Sequence, residues 1–268
     1  MAGKETILVF DSGLGGLTVY REIAVARPGA DFVYVADDAG FPYGGMEEAA
    51  LVARIVALMG ELIATHRPDI VVIACNTAST IALPDLRKKF SLPFVGTVPA
   101  IKPACANSQT RCISVLGTEA TVRREYTRAL IRDYAGDCRV TLVGSNKLAA
   151  YAEAELTGTP VGDAALAAEI APCFRSGDGL RTDTVVLACT HYPLIVERLR
   201  RLAPWPVNFV DPAPAIARRV VTLLGDAPSS AQAGRTRAIF TSGRMPASTL
   251  ARFGIGTGQP APTDAGAA

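Results

Sequence analysis

Apolar and polar positions along the chain follow two alternating rhythms. Short β-branched or apolar runs at 7–10, 31–36, 70–74, 112–116, 140–144 and 184–188 predict buried strands. Between them, 17–25, 46–66, 121–134, 147–156 and 163–174 predict helices. In 46–66 the apolar residues Leu51, Ile55, Leu58 and Leu62 recur at helical spacing, and Pro68 closes the segment. Strand and helix alternating in this way predict an α/β fold with mainly parallel sheets.

The rhythm runs twice. Asp69-Ile-Val-Val-Ile-Ala-Cys75-Asn-Thr in the first half is echoed by Asp183-Thr-Val-Val-Leu-Ala-Cys189-Thr-His in the second. A weaker echo relates Val9-Phe-Asp11-Ser-Gly to Val115-Leu-Gly117-Thr-Glu. We therefore expect two similar α/β lobes facing each other across a cleft. Residues 93–103 read as the crossover between them and 204–214 as the return. The first lobe would comprise 1–98 and 213–255, with 99–212 inserted as the second. The stretch 256–268, Gly, Pro and Ala with few apolar anchors, reads as a disordered tail.

Composition narrows the function classes. The 268 residues are 49% hydrophobic and 19% charged, a globular balance. A net charge of +2, with basic residues only in short clusters, carries no footprint for nucleic acid. The longest membrane-span candidate, 49–64, is broken by Arg54 and Glu61, and the N-terminus lacks a signal-peptide pattern. The expectation is a cytoplasmic protein with no membrane partner. Six cysteines then read as free thiols. Two histidines and no CxxC pair argue against a zinc site.

The chemistry concentrates in Cys75 and Cys189. Ligands in open α/β sheets bind beyond the carboxyl ends of strands, where both cysteines are expected. A lone strand-end cysteine is more often a buried, inert thiol. Two in matching contexts point instead to a pair approaching one cleft from opposite sides. Cys105, Cys112, Cys138 and Cys173 have no such context. Inverting a stereocentre beside a carboxylate needs a base on one face and an acid on the other. A thiol, with a reference pKa of about 8.5, serves either way. Asp11, at the end of the first strand, and His191, two residues beyond Cys189, are candidate assistants. Against this, Asp11 fits an Asx turn and His191 a backbone-bonded loop histidine.

The loop Gly13-Leu-Gly15-Gly16 fails the dinucleotide fingerprint, because position 18 is Thr, and lacks a P-loop ending. It reads as a tight strand-to-helix turn whose N–H groups suit a small carboxylate. Pro42-Tyr43-Gly44-Gly45 is a second loop able to clamp a substrate. Asn76, Thr77, Thr118, Thr121 and Thr190 supply small donors near strand ends, although such residues also cap helices. Two other readings stay open: a binding protein for an acidic amino acid, and a hydrolase using Cys189 with His191. The second leaves Cys75 unexplained.

Taken together, Phe10-Asp-Ser-Gly-Leu-Gly-Gly-Leu-Thr18, Pro42-Tyr-Gly44, Ala74-Cys-Asn-Thr-Ala-Ser79, Leu116-Gly-Thr-Glu-Ala-Thr121 and Ala188-Cys-Thr-His-Tyr-Pro-Leu194 resemble the glutamate racemases in order and spacing. The resemblance implies two α/β lobes with the active site between them, no pyridoxal phosphate, and D-glutamate supply for peptidoglycan. It implies that Cys75 takes the proton from D-glutamate and Cys189 from L-glutamate. Asp11, His191 and Glu153 match the family's assisting groups, with Glu155 the competitor for the last. Substrate contacts would be Asp11, Ser12, Tyr43, Gly44, Asn76, Thr77, Thr118, Thr121 and Thr190. Some members homodimerise, so the implied partners are glutamate and a second copy of the chain. Sister enzymes acting on aspartate, a hydantoin or maleate share the scaffold. The chain departs from the pattern at Asp37-Asp-Ala-Gly40, where many members have Asp-Thr-Ala-Arg.

Overall fold

The computed structural model describes residues 4–177, 179–226 and 233–256. The chain runs β1 (Thr6–Asp11), α1 (Leu17–Ala26), β2 (Asp31–Ala36), α2 (Glu48–His66), β3 (Ile70–Ile73), α3 (Asn76–Lys89), β4 (Phe94–Gly96) and α4 (Ile101–Asn107). There follow β5 (Cys112–Thr118), α5 (Glu119–Arg123), α6 (Glu125–Tyr134), β6 (Arg139–Ser145), α7 (Leu148–Leu156) and α8 (Asp163–Ile170). A small hairpin of β7 (Ser176–Gly177) and β8 (Leu180–Arg181) leads to β9 (Thr184–Ala188), α9 (Val196–Leu202) and β10 (Asn208–Val210). The last elements are α10 (Ala213–Leu224), β11 (Thr236–Phe240) and α11 (Ala247–Arg252).

Among the described residues these strands build two parallel sheets, ordered β11-β2-β1-β3-β4 and β10-β9-β5-β6. Helices cover both faces, which is why the central strands are apolar throughout rather than alternating. All of Ile70 to Ile73 is inaccessible to solvent. The period of two still shows in where each residue packs: Ile7, Val9 and Val72 enter one core, Leu8, Phe10 and Val71 the other. The echoed aspartates do the same job in each lobe. Asp69 accepts from Thr6 N at 2.7 Å; Asp183 accepts from Gln109 N and Thr110 N at 2.7 and 2.9 Å. Each pins the start of the neighbouring strand or the turn leading into it, and so fixes how far its lobe's cysteine strand extends toward the cleft.

Several elements differ from expectation. The single helix at 121–134 is two, because Arg124 is extended (φ −68°, ψ 140°) between α5 and α6. The helix at 163–174 ends as α8 at Ile170, and a 3₁₀ turn, Ala171–Cys173, follows at Pro172. Helix α3 was not foreseen: its polar start and internal Pro84 hide the apolar period. Strands β4 and β10 lie within the segments read as crossover and return. Helix α2 is long and apolar enough, by length and composition, to cross a membrane. Its stripe Leu51, Ile55, Met59 and Leu62 packs on the core of the first sheet, and Glu47 caps it by accepting from Ala49 N and Ala50 N. Of the expected tail, residues 257–268 lie outside the described residues.

The carboxyl ends of the two sheets face each other. Thr77 and Thr118 meet across the cleft at 3.1 Å, and Thr18 Oγ1 donates to Thr190 O at 3.4 Å.

Candidate active site

Both thiols lie just beyond a central strand. Cys75 ends the β3 segment and caps α3, its Sγ accepting from Ala78 N at 3.5 Å. Ser12 Oγ is 3.7 Å away. Burial, reinforced by the nearby Asp11 charge, pushes the Cys75 pKa far up, so it rests as a thiol. Cys189 directly follows β9, with Sγ 3.8 Å from His191 Nδ1.

The two half-sites are built differently. Behind Cys189 stands a relay: His191 Nε2 is 3.0 Å from Glu153 Oε2, and Phe41 lies against the imidazole at 5.2 Å between centroids. Burial opposes a charge on His191, but hydrogen bonding to Cys189 and Glu153 outweighs it and raises the pKa well above the usual histidine value. Glu155 is not part of this relay. It pairs with Arg198. Beside Cys75 the charged group is Asp11, fully buried, accepting from Gly16 N at 2.6 Å. Burial raises its pKa, against the attraction of His191. Thr190 Oγ1 is 3.4 Å from both Asp11 oxygens, so the second lobe touches the first at this carboxylate.

The glycines of residues 13–16 do more than turn the chain. A Cβ at Gly15 would meet His191 Nδ1 at 2.5 Å and Thr190 Oγ1 at 2.6 Å; one at Gly13 would meet Glu153 Oε2 at 2.9 Å. Bare backbone is what lets the lobes close. The N–H groups here are also occupied: Leu14 N donates to Glu153 Oε1 at 3.3 Å and Gly16 N to Asp11. They hold the protein's own carboxylates rather than standing open for a ligand.

Ser12, Tyr43, Gly44, Asn76, Thr77, Thr118 and Thr190 line one cavity with Cys75, Cys189 and His191. Asp11, Glu153 and Thr121 stand behind it. Thr121 is fully buried, its hydroxyl 3.0 Å from Thr118 Oγ1 and its N–H bonded there at 3.1 Å, so it holds α5 rather than facing the cavity. Asn76 is 2% exposed, and neither its amide oxygen nor its nitrogen has a protein partner. Buried amides are rarely left so, and both atoms are free to bond a ligand in the cavity. The cavity is about 20 Å³. That is room for about one water, so the cavity must widen to admit an amino-acid substrate.

The model of the Asp/Glu/hydantoin racemase family matches residues 13–220. The chain belongs to this family. It is 60% identical over 225 residues to a glutamate racemase of Brucella canis, covering 84% of this chain and 81% of that one. It is 61% identical over 222 residues to a glutamate racemase of Brucella anthropi, covering 82% and 80%. Among solved structures, Escherichia coli glutamate racemase with L-glutamate and the activator UDP-MurNAc-Ala superposes with a TM-score of 0.84 at 40% identity, over 94% and 96% of the two chains.

Sequence reasoning missed two lining residues of this racemase fold. Phe41 precedes the Pro-Tyr-Gly motif and lies against His191. Ala149 lies on α7 one turn before Glu153, on the same face, a spacing readable once the helix is placed. The Tyr43 hydroxyl donates to Asp37 at 2.5 Å, so the phenol is spent on the protein and the loop offers the cavity its ring and backbone.

Proposed function

We propose that this protein interconverts L- and D-glutamate by a two-thiol acid/base reaction without pyridoxal phosphate. The observation that carries the reading is that Cys75 and Cys189, on matching strand ends of two facing lobes, line a single cavity. The high identity to curated glutamate racemases supports the substrate.

The asymmetry of the half-sites suits a defined resting state. Cys189, with its Sγ facing His191 Nδ1, is the base for L-glutamate; Cys75, held as a thiol by burial, is the acid. Cys189 takes the Cα proton, charge develops on the substrate carboxylate, and Cys75 delivers its proton to the opposite face to give D-glutamate. The reverse reaction begins with Cys75 as base, assisted by Asp11. Preorganised donors count most where that charge develops. Ser12, Asn76, Thr77, Thr118 and Thr190 are placed to serve, and the backbone of Tyr43 and Gly44 holds the substrate in place throughout. D-Glutamate formed in the cytoplasm would feed peptidoglycan synthesis.

The test is chiral and isotopic. Purified protein with no added cofactor is given each enantiomer in deuterated water. Both should converge on an equal mixture with deuterium at Cα, and Cys75→Ser or Cys189→Ser should nearly abolish turnover while folding survives. Full activity in either folded variant sinks the two-thiol mechanism. Aspartate, a hydantoin and maleate, run beside glutamate, test the substrate.

A further inference from the structure

A buried carboxylate outside the cavity organises the loop that covers it. Asp37, one residue beyond β2, is inaccessible to solvent. Its Oδ2 accepts from Tyr43 Oη at 2.5 Å and from Arg54 Nε at 2.6 Å. Its Oδ1 accepts from Arg54 Nη2 at 2.6 Å and from Thr241 Oγ1 at 2.7 Å. Four donors on one carboxylate, two from a bidentate guanidinium, make a satisfied buried network. Burial alone would raise the Asp37 pKa, but Arg54, Tyr43 and Thr241 together lower it, so the group stays ionised.

The network joins three separate elements. Arg54 comes from α2, Thr241 follows β11, and Tyr43 belongs to the loop lining the cavity. Asp37 N is also bonded to Asp11 O at 2.8 Å, which ties the network to the strand end bearing the Asp11 carboxylate. Space for the arginine depends on Gly40: a Cβ there would meet Arg54 Nε at 2.8 Å and Tyr43 Cε1 at 3.0 Å. Gly40, with Asp38, is one of two positions at which this stretch departs from the pattern the chain resembles.

We propose that Arg54 and Asp37 are positioning residues for the substrate loop. Through the Tyr43 phenol they fix Tyr43 and Gly44 over the two thiols, and so set substrate affinity without touching the substrate. The kinetic arm of this inference rests on the glutamate reading above; a second arm does not.

The kinetic arm compares Arg54→Met with Arg54→Lys. The loop contacts ground state and transition state alike, so loosening it removes uniform binding. Arg54→Met should raise KM for both enantiomers by about 10-fold or more, with kcat within about 3-fold, because a bidentate charged pair is lost while the thiols stay put. Lysine restores the charge but not the fork, and should recover part of the affinity. A general loss of structure would lower the active fraction, and hence apparent kcat, without this split or rescue.

The second arm reads the loop directly. Iodoacetamide labelling of Cys75 and Cys189, followed by mass spectrometry against buried Cys173 as internal reference, should accelerate several-fold in Arg54→Met and less in Arg54→Lys. Tyr43→Phe, which keeps the Asp37–Arg54 pair but cuts the loop from it, should reproduce the Met result. If folded Arg54→Met keeps the wild-type KM and labelling rates, the proposal is overturned. If the wild type does not racemise glutamate, the functional reading fails separately and the labelling arm still decides whether Arg54 holds the loop.

Discussion

The bare backbone of Gly15 lies against the opposite lobe, and it makes a sharp prediction. Replacing Gly15 with alanine adds one methyl, whose carbon would sit 2.5 Å from His191 Nδ1 and 2.6 Å from Thr190 Oγ1. Ordinary contact is about 3.5 Å, so the imidazole and threonine must retreat by about 1 Å. His191 Nδ1 is the atom that faces Cys189 Sγ at 3.8 Å. A displacement of about 1 Å in a catalytic group costs on the order of 100-fold in rate. Stability should fall as well. Gly15 does not have a left-handed backbone, so alanine's lower chain entropy in the unfolded state contributes about 0.5 kcal/mol of stabilisation. His191 and Thr190 are buried, however, and displacing them is overpacking that costs about 1–3 kcal/mol. The expected variant therefore melts somewhat below the wild-type temperature while racemising glutamate about 100-fold more slowly. The control is Gly60→Ala in α2, whose Cβ would be 3.7 Å from Phe90 Cζ, an ordinary contact. It should gain up to about 1 kcal/mol from helix propensity and keep full activity. Chiral chromatography gives the rates and calorimetry the melting temperatures. A folded Gly15→Ala enzyme with wild-type kcat would refute the claim that close approach of bare backbone positions His191.

Asp11→Asn should stabilise the protein at neutral pH while lowering kcat several-fold or more. Its folded pKa is raised by burial, so the carboxyl's contribution to stability is fully present below about 3.8 and lost as pH rises through the folded value; thermal melts at pH 7 check the sign. Glu153→Gln should let the His191 pKa fall and move the alkaline limb of the pH–rate profile to lower pH, whereas Glu155→Gln, on the Arg198 side, should leave the profile in place. His191 stabilisation is present below about 6.5 and lost as pH rises through its raised folded value, and Glu153→Gln should narrow that window. Asp183→Ala should cost about 2 kcal/mol by denaturant midpoint at pH 7, because hydrogen bonds from Ser108, Gln109, Thr110 and Thr184 to a charged group are lost. Its folded pKa is lowered, so the difference should shrink as pH falls below about 3.8.

What the sequence disclosed follows from which interactions are local. Strand runs such as Ile70 to Ile73 are legible because burial on both faces demands an unbroken apolar segment. The cysteine pair was legible because the echo around Cys75 and Cys189 repeats a strand end, and a strand end in an α/β sheet is a site by topology. Helix α3 was obscured by Pro84 and by the Asn76-Thr77 start that serves the cavity. The break at Arg124 has no composition signal; its side chain pairs with Glu48 across the cleft, a contact remote in sequence. The choice of Glu153 over Glu155 depends on rotation about the α7 axis, which alternate glutamates leave open until His191 and Arg198 are placed on either side. The Asp37 network joins positions 37, 43, 54 and 241, a combination that no local pattern could announce.

The repeat that makes the fold recognisable is also what makes its departures informative. Asp69 and Asp183 play like roles, one bonding the first residue of β1 and the other the turn that leads into β5. Beyond the strand ends the symmetry stops. The first lobe places a carboxylate, Asp11, at the end of β1; the corresponding residue of β5 is Gly117, where a Cβ would meet Ala188 at 3.3 Å. The second lobe supplies instead an imidazole backed by Glu153, and that relay leans across the cleft onto the first lobe's Leu14 N. A racemase faces an equilibrium constant of one, so it needs equal catalytic efficiency in both directions, but it does not need equal groups. In the proposed mechanism unlike assistants fit this requirement: burial near the Asp11 carboxyl holds Cys75 as a thiol, while His191, backed by Glu153, faces Cys189 from the other lobe.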